Sequence, residues 1–284
     1  MTSKPRWTES PQLDELPHFQ DLLDGTDWAS LATAYGTGEA LPAALVRLLD
    51  SDPDVRSAAA DDAFRAVNDQ NTIYEAAAPI ALYVAAILDH PVIATGDFGH
   101  DAERPPHRPT LVRLLEGLSN IAYDAADECV AIGERHFGKG VLDEYPEMRA
   151  FRDLRPAIFS AVHPLLGHES AGTRDAALVT AIPLAEHPAL IVHCGKLVEH
   201  ARRLLVAGPD NYYRELVLDA MKAWGQNISG LENADDIAAR ELRARHLAEH
   251  CSVWPGNGTS GPGGETSLWP TDPSRSQTST VHPL

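Results

Sequence analysis

The chain has 284 residues and a formal net charge of −18, with 44% hydrophobic and only 6% aromatic residues. That length holds one large domain or two small ones, and an alanine-rich, aromatic-poor composition suits packed helices better than sheets. An acidic field of this size disfavours nonspecific binding to DNA, RNA or anionic lipid and would favour a basic partner.

Cys129, Cys194 and Cys251 are far apart and form no CxxC pair. This argues against a disulfide framework or a cysteine zinc site and fits a reducing cytoplasm. The opening residues contain no apolar h-region, so no signal peptide is expected. Residues 1–24 are polar and dotted with proline, an extension expected to drape or dangle. "TDWASLATAYG" then reads as a short helix capped by Thr26 or Asp27, with Trp28, Leu31 and Tyr35 on one face and Gly36 as its stop.

Leu41, Leu45, Leu48 and Leu49 recur at helical spacing. "DSDPD" breaks that helix and starts another, with Asp52 as N-cap and Pro53 as first helical residue. Val55, Ala58, Ala59, Ala63 and Val67 continue the apolar face, giving two helices joined by a tight turn. A buried helix is predicted from Ile73 to Leu88. Its apolar run, Ala76 to Leu88, is too short to span a bilayer. Asp89 to Pro109 reads as a long polar insertion. Further helices are predicted at about 188–205 and 234–250, the last as a polar terminal cap. No strand is predicted. From Ser252 onward Gly, Ser, Thr and Pro dominate, a composition unable to bury enough apolar area to order itself.

The pattern repeats. "LVRLL" occurs at Leu45–Leu49 and again at Leu111–Leu115, and at the same shift "AADD" (Ala59–Asp62) meets "AADE" (Ala125–Glu128). "HPLLGHESAGTRDAAL" offers a third copy around Arg174, and "ARRLLVAGPDNYYRELVLDA" a fourth around Arg214. The spacing between those two arginines is what stacked helix pairs give.

"LVRLLDSDPDVRSAA" resembles a HEAT repeat through its Leu-Leu pair, Asp52, Pro53, Val55, Arg56 and the following alanines. "NDQNTIYEAAAPIA" resembles a string found in a group of largely uncharacterised bacterial HEAT-repeat proteins: Gln70, Thr72, Tyr74 and Ala76 match, and Asn71 stands in place of a glycine. The resemblance covers roughly residues 25–250. It implies an all-α solenoid of about four helix pairs, in which Asp52 and Arg56 belong to a ladder between units. It is nearly silent on activity.

Chemistry-bearing motifs are few. "HLAEH", His246 to His250, matches the HxxEH pattern of inverted zinc peptidases, but the residues that would have to supply the further carboxylate ligand are the polar tail. A surface helix carrying two histidines accounts for it. "GNGTSG", Gly256 to Gly261, lacks the strand and helix that a dinucleotide fingerprint needs. His193 and His200 share a helix face and would need a third ligand, from His163 or His168, to hold a metal. No metal, cofactor or catalytic residue is assigned. In a HEAT stack the second helices line the concave face, which makes Asp61, Asp62, Arg65, Asp69, Asp124, Asp127 and Glu128 candidate partner-binding residues. Gln70, Asn71 and Tyr74 join them at the turn that follows. The expected function is a non-catalytic scaffold that binds a basic protein, such as an immunity or inhibitor partner of a basic toxin. The alternative is a HEAT-like enzyme, a nucleic-acid glycosylase or cofactor lyase.

Overall fold

The computed structural model describes residues 16–68, 72–98, 108–208 and 213–252. These are mostly helical. They divide into two compact units, the first made of described residues up to Ile191 and the second beginning at Val192.

The first unit opens with α1 (Phe19–Gly25), inside the segment expected to dangle. Leu22 and Leu23 are buried, and Phe19 meets the Tyr83 ring edge-on at 6.0 Å. A 3-10 turn at Trp28–Ser30 follows, then a hairpin pairing β1 (Ala32–Thr33) with β2 (Gly36–Thr37). This replaces the predicted short helix. An isolated helix of that length is marginal in water, and other elements capture its backbone: Ala34 N–H donates to the Ala66 carbonyl, and Ala76 N–H to that of Ala32. Gly36 takes the positive φ, 126°, that closes the turn. Trp28 and Leu31 are buried as expected, but Tyr35 sits at the hairpin tip and is 69% exposed.

α2 (Leu41–Arg47) and α3 (Pro53–Arg65) form the predicted helical hairpin. Asp52 caps α3, its Oδ1 accepting from Asp54 N–H at 2.9 Å, and Pro53 occupies the first helical position. α4 (Ala77–Ala86) is apolar all round and buried all round, the centre of the core. Tyr83 hangs from it, and its hydroxyl donates to the Leu45 carbonyl of α2 at 3.0 Å. The polar insertion contains α5 (Pro91–Ala94) and a second hairpin, β3 (Asp97–Phe98) with β4 (Arg108–Pro109). Both hairpins are too short to carry an alternating pattern, which is why no strand was legible.

α6 (Thr110–Asp124) crosses α3 where the Phe64 ring lies on Gly117; a Cβ there would fall 2.1 Å from the ring. α7 (Asp127–Phe137), α8 (Val141–Glu144), α9 (Pro146–Asp153) and α10 (Arg155–Val162) follow. α11 (Ala171–Leu184) packs along α6, and Thr180 Oγ1 donates to the Leu115 carbonyl at 2.8 Å. The second unit holds α12 (Cys194–Ala207), α13 (Arg214–Ala223) and α14 (Ala234–Ser252). Residues 188–193, predicted as the start of a helix, form a 3-10 stretch instead.

One local structure recurs. Arg56 is buried, and its Nη1 donates to the carbonyls of Asp50 (2.8 Å) and Ser51 (3.0 Å) in its own turn. Arg174 Nη1 does the same to His168 (2.8 Å) and Glu169 (2.7 Å). In both turns the N–H two residues after the bend donates to a side chain at its start, Asp52 to Asp50 and Ser170 to His168. Arg214 Nη1 donates to Leu205 and Gly208. The copies around Arg56 and Arg174 are therefore alike in geometry, whereas Arg214 reaches further back, to the end of α12. The two copies of "LVRLL" are not alike: the first runs off the end of α2 into the turn, while the second lies at the start of α6, a full helix before the next turn.

Candidate functional site

The sequence-derived site residues fall in two places. Asp61 and Asp62 lie side by side on α3, and each meets an arginine from one "LVRLL" copy. Arg47 Nη1 of α2 is 3.6 Å from Asp62 Oδ2, and Arg113 Nη2 of α6 is 2.8 Å from Asp61 Oδ1. Arg113 also lies over the Phe64 ring, 6.0 Å from its centroid. Both carboxylates stay about half exposed, so these pairs contribute about 0–1 kcal/mol each and exchange readily for an external cation. Arg65 is exposed at the end of α3, and Tyr74 is half-buried in the loop beyond. Asp69, Gln70 and Asn71 lie outside the described residues.

What the sequence reading missed here is Tyr35. The hairpin that carries it is fastened to the last turn of α3 through Ala66 and to the α3–α4 loop through Ala76, and Glu75 Oε2 accepts from Ala32 N–H at 2.9 Å. It therefore stands beside the terminal turn that carries Asp62 and Arg65. The available signal was the "TAYG" turn, read as a helix end.

The second group surrounds the α6–α7 turn. Asp124, expected to contact a partner, is 5% exposed and so sits beneath the surface. Its position at the end of α6 turns it into the core. Asp127 and Glu128 are exposed in the first turn of α7. Around them stand residues with no motif to mark them. Arg155 is 1% exposed; its Nη2 donates to the Ala125 carbonyl at 2.5 Å and lies 3.2 Å from Glu186 Oε2. Arg152 Nη1 donates to the same carbonyl at 2.6 Å, and its Nη2 pairs with Asp127. Glu186, just beyond α11, accepts from Asp127 N–H at 2.8 Å and so caps α7 from another element.

Burial sets the electrostatics of this group. It raises the Glu186 carboxyl above its ordinary value, although the Asp127 N–H and Arg155 pull the other way. It lowers Arg155 to about 10, which leaves the guanidinium charged at neutral pH. Burial, with Asp124, Glu128 and Glu186 adding negative charge, pushes the Cys129 thiol up to about 12. Two arginines and two carboxylates thus satisfy one another across α7, α9, α10 and the end of α11.

The second unit has a comparable centre in Arg214. Its Nε and Nη2 donate to Asp236, Nη2 also to Leu231 at 2.7 Å, and Nη1 to the end of α12. Asn233 and Asp236 exchange backbone-to-side-chain bonds of 2.8 Å in each direction, a capping box at the start of α14. Burial raises the Asp236 carboxyl, but its bonds from Arg214 and Asn233 outweigh that and hold it below its ordinary value.

Among the described residues, no group of three or more His, Cys, Asp or Glu is placed to hold a metal ion. The "HLAEH" residues lie in α14, where side chains from His246 onward are outside the description, and "GNGTSG" lies outside it altogether. No helix of the described residues is long and apolar enough to cross a membrane. Compared with protein-family models, curated proteins and solved structures, the chain matches none.

Proposed function

We propose that this chain is a non-catalytic binding protein of HEAT-repeat type, an α-solenoid whose acidic concave face recognises a basic protein. The carrying observation is the surface around the end of α3. Residues 16–68 hold nine acids against three arginines, net −6, a third of the formal charge of the chain. Tyr35 projects from that segment on a fastened hairpin, with Asp62 and Arg65 on the adjoining helical turn. A rigid, exposed tyrosine in a negative field suits a lysine- or arginine-bearing contact, since the ring face attracts cations and little side-chain entropy is lost on binding. A basic toxin held inactive by this chain is one such partner.

The test is capture from native lysate at low and high salt by the wild type and by Tyr35→Ala. A basic partner whose binding falls with salt and weakens at least several-fold in the variant supports the reading. An acidic or salt-insensitive partner sinks it.

The second reading, a HEAT-like enzyme, draws on Glu186, a desolvated carboxyl beside an arginine. Tight binding of duplex DNA at physiological salt, with turnover but not binding lost in Glu186→Gln, would favour it. The acidic charge of the chain speaks against it.

A further inference from the structure

Over its described side chains, Ala234 to Arg245, α14 buries no apolar residue. Between Ala234 and Arg245 each alanine, Ile237 and Leu242 are exposed, the last two at 38% and 48%. Its ties to its own unit are polar and lie on one side: Asp236 to Arg214, Arg240 to Glu232, and Arg243 to Glu215 and Asp219. A lone helix of this length is marginal without an apolar face packed against something. At 100° per residue, Asp236, Arg240 and Arg243 cluster on one side, and Ala234, Ala238, Glu241, Leu242 and Arg245 face away, with Asp235 at their edge.

Two pairs of positions in that row are complementary rather than identical. About a point at residue 240, Asp235 exchanges with Arg245, and Ala238 with Leu242. We propose that α14 pairs antiparallel with α14 of a second copy of this chain across a two-fold axis near Arg240. Each Leu242 packs against the partner's Ala238, and each Asp235 meets the partner's Arg245. A small residue opposite a large one lets the helices approach, and the charge pattern fits only the antiparallel arrangement. An isologous contact of this kind closes on itself and stops at the dimer. The contact is small and belongs among weak interfaces, so association is expected in the micromolar range and above.

Sedimentation velocity of the full chain tests this across a concentration series into the hundreds of micromolar. The wild type is expected to shift from one chain to two as concentration rises. Leu242→Glu, at an exposed position that the fold does not need, is expected to remain monomeric with unchanged helix content. Asp235→Arg and Arg245→Asp singly are each expected to weaken association by about two- to five-fold, the range of an exposed ion pair. The double charge swap restores it. A monomer at every concentration, or a dimer that Leu242→Glu leaves intact, overturns the proposal. So does a double swap no better than the single changes.

Discussion

At the residue scale, stability is concentrated in a few side chains. Leu48 is fully buried, whereas its neighbour Leu49 is only half-buried. Leu48→Ala is expected to cost about 2–5 kcal/mol, and Leu49→Ala clearly less, by urea denaturation. Gly117 is fixed by the Phe64 ring upon it, and Phe64 has no room to give, being itself buried. Gly117→Ala should therefore cost about 1–3 kcal/mol despite alanine's better helix propensity. Arg214 bonds three separate segments, so replacing it with methionine leaves the nearly buried Asp236 carboxylate without its counter-charge. A loss of about 3–5 kcal/mol is expected, read as a lowered melting temperature. Cys129 needs deprotonation to react, and its thiol is held near 12. Alkylation of the native chain at pH 8 is expected to spare it until the protein is unfolded.

At the scale of elements, turns do more to define this protein than helices do. The arginine of each recurrent turn collects carbonyls that a helix end leaves unpaired, which allows a tight reversal without exposing polar backbone to the core. These arginines were legible as "VR", "TR" and "YR" about two helical turns after a leucine pair, at seven, eight and nine residues respectively. What was not legible is the letter-for-letter "LVRLL" repeat being in two different places. Its second copy continues as helix because no proline or aspartate follows it. Asp52→Ala is expected to destabilise the α2–α3 hairpin by about 1 kcal/mol through loss of the α3 cap, measurable by chemical denaturation. α7 is a different case. It has no side-chain cap of its own and takes one from Glu186, a residue about sixty positions away that no local pattern could assign.

For the whole molecule, pH acts through Asp236 in one direction and through Glu186 and Glu147 in the other, with His187, lowered by burial, opposing the latter pair below neutral pH. Asp236 has a depressed folded value, so its stabilisation is present above its ordinary 3.8 and is lost as pH falls through the folded value. Glu186 has a raised folded value, so its contribution is present below its ordinary 4.5 and is lost as pH rises through the folded value. Stability measured by urea denaturation is therefore expected to rise on mild acidification from neutral pH and to fall below about pH 4. Glu186→Gln should diminish the rise, and Asp236→Asn should flatten the fall from a lower starting point. A rise that Glu186→Gln leaves undiminished would assign it elsewhere, Glu147 being the other carboxyl raised by burial.

The sequence by itself determined that the chain is mostly helical, that the apolar run from Ala76 to Leu88 is core, that Asp52 and Pro53 start a helix, and that Arg56 and Arg174 each follow a turn. These are consequences of local spacing and backbone chemistry, which a linear string records. Only the tertiary structure decided which charged residues remain available. It joined Asp61 and Asp62 to arginines from two separate helices, sank Asp124 and assembled Arg152, Arg155 and Glu186 around a helix end. It also turned Tyr35 outward. The reason is that burial and ion pairing depend on which distant segments meet, and that is settled by how the helices pack rather than by the residues beside each charge.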